Sequence, residues 1–242
     1  MVRRPSWPRL ALTCPGLALW LAGCAGGATG SELSARPRPR PLSAATERVL
    51  RIPEDEKFSI TFAPSTRAPG LGGAAEASSS ASRDGAAEAR ASVEQAGTAS
   101  ASFQVGHAFE NDSDRQTDLQ LRVRCEHEHE ATASSEARPD ASVALWLYVR
   151  DQRNRLLRSI RLVEHTTVDG GASLRGNEDF DFTLTLAPRD AANVFLAGVV
   201  SAEAADGRSA SGTLRLRALS IEAQATPAPP VKTASDATHE PG

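Results

Sequence analysis

Alternation of apolar and polar residues is the feature that most constrains the fold of this chain. Four segments alternate with a period of two: residues 58–62, 103–109, 119–125 and 180–186. This pattern is typical of β-strands with one buried face. Residues 142–151 and 194–201 are more continuously apolar, which predicts strands at the centre of a sheet, and no strong helical pattern lies between the segments. We therefore predict an all-β fold, a single antiparallel β-sandwich of jelly-roll or immunoglobulin-like type.

The predicted sandwich domain spans residues 46–223. Within it, residues 64–100 are rich in Ala, Ser and Gly and nearly free of large apolar side chains. We predict that they form a mobile low-complexity insertion, in which residues 86–96 could make a short helix with little apolar surface to bury. Between residues 214 and 221 the apolar alternation changes phase, which predicts a β-bulge near Ala218.

The N-terminus carries a positive leader followed by an apolar run. Arg3, Arg4 and Arg9 are followed by residues 10–21, which are largely apolar. This run is too short to span a bilayer, so the segment has the character of a secretory signal. It ends in Leu21-Ala22-Gly23-Cys24, which resembles the bacterial lipobox of a leucine, two small residues and a cysteine.

The lipobox resemblance implies a cellular location and a lipid anchor. It implies that residues 1–23 are a signal peptide removed by cleavage before Cys24, and that the Cys24 thiol is diacylated, with palmitate-type chains. Two or three acyl chains hold a protein stably, because each buried methylene contributes roughly 0.8 kcal/mol. Ala25 stands where inner-membrane lipoproteins typically carry aspartate. The expected location is outside the cytoplasm, attached to the membrane by lipid, at the outer membrane where the cell has two.

The segments on either side of the domain are predicted to be linkers. Residues 24–45 include the alternating Arg-Pro run 36–41, whose prolines favour an extended tether. Residues 224–242 are polar and proline-containing, as in disordered tails. Without the signal, the chain has 24 basic and 30 acidic residues, which gives no indication of a nucleic-acid partner. Cys125 is then the one thiol besides Cys24, so no disulfide framework is expected.

Aromatic side chains suggest a ligand platform on one strand. Trp146 and Tyr148 are the only tryptophan and tyrosine after residue 23. With a period of two they share a strand face with Arg150. Exposed together, they would stack on a sugar ring while Arg150 bonds its hydroxyls. The alternative is that both rings fill core space under the insertion.

A second candidate site combines a thiol and two imidazoles. Cys125, His127 and His129 project from one face of a continuing strand, and these donors suit zinc or copper. A straight strand holds three ligands too far apart for a single ion, so a solvated charge cluster is the alternative. His107 or His165 would complete a metal site if the fold brought either near.

Other signatures of chemistry are weak. The acidic turn 110–114 could hold calcium, but an ordinary turn whose Asn and Asp side chains bond their own backbone is the simpler interpretation. The sequence contains no Gly-x-Ser-x-Gly elbow, phosphate loop or dinucleotide fingerprint. We therefore expect no catalytic activity and no cofactor.

Three segments near the C-terminus carry a second resemblance. Residues 180–188 (Phe-Asp-Phe-Thr-Leu-Thr-Leu-Ala-Pro), 194–199 and 211–221 resemble the closing strands of galactose-binding-like jelly rolls, the fold of many carbohydrate-binding modules. Those modules often end with an Asp-Asn or Asp-Asp pair where this chain has Arg217-Ala218. The resemblance therefore implies the fold and transfers no binding residue.

The expected function follows from the anchor and the domain. The sequence predicts a lipid-anchored, non-catalytic envelope protein that displays a binding domain, with a glycan recognised through Trp146, Tyr148 and Arg150 as the first hypothesis. A protein-interaction or structural lipoprotein without a small ligand is the second. Envelope metal binding at Cys125, His127 and His129 is the third.

Overall fold

Antiparallel strands make up almost all of the chain that the structure describes. The computed structural model describes residues 49–134, 140–167 and 173–227. Its ten strands are β1 (Val49–Ile52), β2 (Ile60–Phe62), β3 (Ser65–Pro69), β4 (Ala74–Ala81), β5 (Ala87–Glu110), β6 (Thr117–Ala133), β7 (Ala141–Asp151), β8 (Leu156–Thr166), β9 (Leu174–Leu186) and β10 (Ala191–Pro227). Within these ranges there is no helix with the length and apolar character to cross a membrane. The predicted signal peptide, Cys24 and the 24–45 tether lie outside the described residues.

The two longest strands, β5 and β10, pair with each other and build both layers of the fold. Their register shifts between Ala204 and Arg208 of β10. Opposite this shift, Gln95 and Gly97 of β5 have φ angles of 66° and 140°, and Gly207 of β10 has a φ of 77°. Positive φ on both strands marks a shared bend, at which the paired strands pass from one layer into the other.

The bend divides one continuous sheet into two facing layers. Layer 1 contains β8, β7, residues 191–204 of β10, residues 97–110 of β5, β2 and β3. Layer 2 contains β9, β6, residues 208–227 of β10, residues 87–95 of β5, β4 and β1. The layers approach closely at β10, since a Cβ on Gly198 would lie 2.6 Å from Leu214 Cδ2. The prediction of an all-β antiparallel sandwich is confirmed.

The hydrophobic core lies between the layers and is built from one face of each long strand. Its largest fully buried side chains include Phe58, Phe103, Phe109, Leu119, Leu145, Leu147, Leu196, Leu214 and Ile221. Burying one such side chain contributes about 1.5–3 kcal/mol relative to leaving it exposed. The alternating sequence pattern therefore places its apolar residues where the two layers meet.

The prediction of a mobile insertion with a short helix at residues 64–100 is wrong. This segment contains β3, β4 and the first part of β5, and residues 87–94 of β5 pair with β4 on one side and β10 on the other. Alanine alternates there with polar residues, and the four inward side chains Ala87, Ala89, Ala91 and Val93 are buried. Sheet pairing on both edges outweighs the helical propensity of alanine.

Two predictions about β10 have different outcomes. The register between β10 and β6 shifts between Leu216 and Ala218, which confirms the predicted bulge. The boundary of the C-terminal tail is wrong by a few residues, because β10 continues to Pro227 and pairs there with Thr117 of β6. The remainder of the predicted tail lies outside the described residues.

Candidate functional site

Trp146 and Tyr148 project from β7 on the face opposite the core. The inward residues of this strand are buried, whereas Trp146, Tyr148 and Arg150 are half-buried on the outward face. The predicted shared face is therefore present. Neither ring is part of the hydrophobic core, so the alternative that they fill core space is not what the structure shows.

Phe195 packs against these rings on the same face and is only 5% exposed; Trp146, Tyr148 and Phe195 are defined here as the aromatic strip. The Trp146 and Tyr148 ring centroids are 6.1 Å apart with planes 12° from parallel. Phe195 lies directly opposite Tyr148 on β10, with 5.7 Å between ring centroids. Gly106 faces Phe195 on β5, and a Cβ there would lie 2.3 Å from Phe195 Cβ. The missing side chain at Gly106 makes room for the Phe195 backbone and Cβ.

Two arginines bound the aromatic strip. The guanidinium carbon of Arg150 lies 5.5 Å from the Tyr148 ring centroid and 5.6 Å from that of Phe195. At the other end, the Arg161 guanidinium carbon lies 5.7 Å from the Trp146 centroid. These are cation–π distances, and burial raises the pKa of Tyr148, so its hydroxyl stays protonated. The strip therefore combines flat apolar surface with N–H and O–H donors.

The outer face of layer 1 continues the apolar surface beyond the strip. Trp146, Ala197, Gln104 and Phe62 follow one another across four paired strands. At the usual strand spacing, Trp146 and Phe62 are about 14 Å apart. Phe62 is 57% exposed, and Val199 on the same face is 42% exposed. Apolar side chains that are at least partly exposed therefore lie at both ends of this row, with Gln104 between Ala197 and Phe62.

The outer face of layer 2 is chemically different. Arg122 and Arg124 both bond Asp179, with nitrogen–oxygen distances of 2.6 and 3.2 Å. Hydrogen bonding from Arg122, opposed in part by desolvation, lowers the pKa of Asp179. Glu128 likewise pairs with Arg175 and Arg217. These side chains satisfy one another in solvent, so this face of layer 2 is dominated by ion pairs, although Leu174 and Val49 are also exposed on strands of layer 2.

Cys125, His127 and His129 lie on one buried face of β6, as predicted. Their exposed fractions are 3%, 4% and 6%, so the alternative of a solvated cluster does not describe these three side chains. The ring centroids of His127 and His129 are 5.6 Å apart. Across the core, His165 of β8 contacts His129 with a centroid distance of 5.2 Å. The fold thus forms a histidine cluster of His127, His129 and His165.

Burial governs the chemistry of this cluster. It lowers the pKa of His129 to about 4, assisted by the neighbouring imidazoles, and it lowers the pKa of His127 against the opposing charge of Glu178. Burial and then Glu178 raise the pKa of the Cys125 thiol to about 12. Neutral imidazoles can bind a metal, whereas a protonated thiol is a poor ligand. In the described ranges, no three His, Cys, Asp or Glu side chains converge as a formed metal site.

The acidic turn after β5 has a structural role. Asn111 is fully buried, and its Nδ2 donates to the carbonyl oxygens of Arg115, Leu186 and Ala187. Its Oδ1 accepts from the Ser113 backbone N–H at 3.2 Å. This is the side-chain-to-backbone turn that the simpler interpretation predicts.

Phe195 belongs to the aromatic strip and Arg161 lies at one end of it, although their sequence positions do not single them out. Phe195 stands in an almost wholly apolar strand, so its outward direction depends on the pairing register.

Of the two histidines proposed to complete a metal site, the fold brings His165 to the histidine cluster. His107 instead contacts Phe109 and Glu56. Cys24, the predicted lipidation site, lies outside the described residues.

Comparison with known proteins yields little. No protein-family model matches the chain, and no curated protein matches it. A solved structure titled "Structure of Arabinose-Bound MgGH51 a-L-Arabinofuranosidase Crystal Type 1" is similar at 13% identity with a TM-score of 0.27. The similarity covers 66% of this chain and 23% of that one, so the chain spans about a quarter of its length. A similarity this weak carries no argument about function.

Proposed function

We propose that this protein is an exported, lipid-anchored, non-catalytic binding protein whose sandwich domain recognises glycans at the outer face of layer 1. Cys24 carries the lipid, residues 24–45 form the tether, and the aromatic strip with Arg150 forms the binding face. The observation that supports the proposal most is the position of Trp146 and Tyr148, which lie side by side on the strand with nearly parallel ring planes and outside the core.

The chemistry of the aromatic strip suits a sugar. One face of a pyranose ring is lined by C–H groups and packs on an aromatic ring, while its hydroxyls need hydrogen-bond partners. Trp146 and Tyr148 provide two adjacent flat surfaces with polar tips. Arg150 and Arg161 hold guanidinium groups at the two ends. A mostly apolar surface with a few placed donors is the usual composition of a ligand site.

Binding to an oligosaccharide panel tests the glycan proposal. The predicted mature chain, with Cys24→Ser to keep it soluble, should bind at least one oligosaccharide class. Trp146→Ala and Tyr148→Ala should each weaken binding at least tenfold, which corresponds to about 1.4 kcal/mol. Leu157→Ala is the matched control, because Leu157 is an exposed apolar side chain outside the strip. Equal binding by all three variants would contradict the proposal.

A protein partner is the second candidate for the same face. The exposed fractions of Phe62 and Val199 favour it, since neither residue adds a hydrogen-bonding group. Phe62→Ala separates the two candidates: it should leave oligosaccharide binding intact if the strip alone forms the glycan site.

The lipid anchor has its own test, because mass spectrometry of the native product should find fatty acid on residue 24. An unmodified Cys24 or an intact Met1 would contradict the anchor.

A further inference from the structure

The histidine cluster lies in the core between the two layers, away from the proposed glycan face. His127 and His129 come from β6 of layer 2, and His165 comes from β8 of layer 1. His129 contacts both His127 and His165, and most of the other buried side chains are hydrophobic. Aliphatic side chains would fill the same space without burying polar nitrogens.

Hydrogen bonding in the cluster is incomplete. His127 is 4% exposed, and both of its ring nitrogens are buried without a hydrogen-bond partner in the described part of the chain. His129 is 6% exposed, and its Nδ1 is likewise buried without a hydrogen-bond partner among the described residues. A buried polar atom left unpaired costs about 1–3 kcal/mol. These orphaned nitrogens point to a ligand that accepts lone pairs.

Two of the three ring separations match those of imidazoles that share a metal ion. Two imidazoles bound to one zinc at a tetrahedral angle, with Zn–N bonds of about 2.0–2.1 Å, have ring centroids about 5 Å apart. The observed centroid distances are 5.6 Å for His127 and His129 and 5.2 Å for His129 and His165. The nitrogens as placed do not converge. Rotation about each Cβ–Cγ bond swings the nitrogens while leaving the centroid nearly fixed, and this torsion is broad for histidine.

Glu178 and Gly176 on β9 prepare the surroundings of His127. The Glu178 carboxylate lies 3.9 Å from His127 Nε2, which is beyond hydrogen-bond distance. A small movement would let this carboxylate accept a hydrogen bond from an N–H at Nε2. This would leave Nδ1 for the metal, as in carboxylate–histidine–metal arrangements. Gly176 leaves the space beside the ring, since a Cβ there would lie 2.5 Å from His127 Nε2.

We propose that His127, His129 and His165 bind one divalent transition-metal ion of the zinc class. Three neutral imidazoles select Zn²⁺, Co²⁺, Ni²⁺ or Cu²⁺ over calcium or magnesium. The set takes two ligands from β6 and the third from the opposite layer, which removes the difficulty of holding one ion with a single straight strand. Cys125 is outside the ligand set.

Metal binding to the untagged full chain tests the proposal. Cys14→Ser and Cys24→Ser are present in every sample, so that Cys125 is the sole thiol. Zn²⁺ should bind with one ion per chain by calorimetry. His129→Phe and His165→Phe should each weaken that binding at least a hundredfold. His107→Phe is the matched control, since His107 is an equally buried histidine outside the cluster, and it should bind as the parent does.

Cobalt distinguishes the histidine set from the thiol-containing set. Co²⁺ at three imidazoles should give visible absorption without thiolate charge-transfer bands, and Cys125→Ser should leave the spectrum unchanged. Absence of stoichiometric binding, binding that survives His129→Phe and His165→Phe, equal loss in His107→Phe, or a Cys125-dependent charge-transfer band would each overturn the proposal. Circular dichroism verifies the fold of every variant. A phenylalanine variant that does not fold is replaced by glutamine at that position.

Discussion

Acidification should destabilise the domain, and His107 should account for a defined part of the loss. His107 is 3% exposed on β5, and burial lowers the pKa of its imidazole from 6.5 to about 4. Three groups face it. The Glu56 carboxylate, 3.6 Å from Nε2, and a backbone hydrogen bond involving Lys57 favour the imidazolium, whereas the charge of Arg83 disfavours it. Burial outweighs the two favourable contacts.

The sign and size of the effect follow from linkage. The unfolded state takes up the proton near pH 6.5, before the folded state does, so the stability contribution is complete above pH 6.5. It is lost as the pH falls from 6.5 to about 4. One pKa unit corresponds to about 1.4 kcal/mol, so the loss is about 2 kcal/mol at pH 5 and about 3 kcal/mol below pH 4.

Urea unfolding at about pH 7.5 and about pH 5 measures this contribution. The parent chain and His107→Phe are compared in the presence of a chelator, so that bound metal does not alter the stability. The variant should lose about 2 kcal/mol less than the parent between the two pH values. Carboxylates and the other histidines titrate in both proteins and cancel in the comparison. Equal losses would refute the assignment of a low pKa to His107.

Three further substitutions distinguish buried from exposed contributions, each measured by urea unfolding. Asn111→Ala should lower the free energy of unfolding by about 1–3 kcal/mol, because the carbonyls of Arg115, Leu186 and Ala187 lose their donor and the bond to Leu186 is buried; an unchanged midpoint would contradict the turn's role. Gly106→Ala should cost about 1–3 kcal/mol through overpacking, since its Cβ would lie 2.1 Å from the Val194 carbonyl oxygen; a stabilised variant would count against this geometry. Asp179→Ala should leave the midpoint nearly unchanged because its ion pairs are solvated, and a large drop would show them to be structural.

Alternation with a period of two is enough to predict the fold class and most of the strands. The β7 pattern places Trp146 and Tyr148 on the outward face, and the phase change near Ala218 locates the bulge. Both inferences depend only on which side of a strand a residue takes. They hold because the inward face is predominantly apolar and fixes the register.

Residues 64–100 show where sequence reasoning fails. Alanine has a high helical propensity and a small side chain, so Ala87, Ala89 and Ala91 indicate a strand only when their partners on β4 and β10 are known. The contact between His129 and His165 could not be predicted from the sequence for a related reason. It joins strands in opposite layers, and no local pattern specifies which residues face each other across a core. The position of Phe195 in the aromatic strip likewise depends on the register that pairs it with Tyr148.

The fluorescence of Trp146 tests the central proposal most directly, because this is the only tryptophan after residue 23. In the mature chain, a half-buried indole on a glycan-binding face should show a saturable change in emission on addition of a bound oligosaccharide. The same titration with Tyr148→Ala should require a higher concentration. Emission that stays constant across oligosaccharide classes would contradict a glycan-binding role for the aromatic strip.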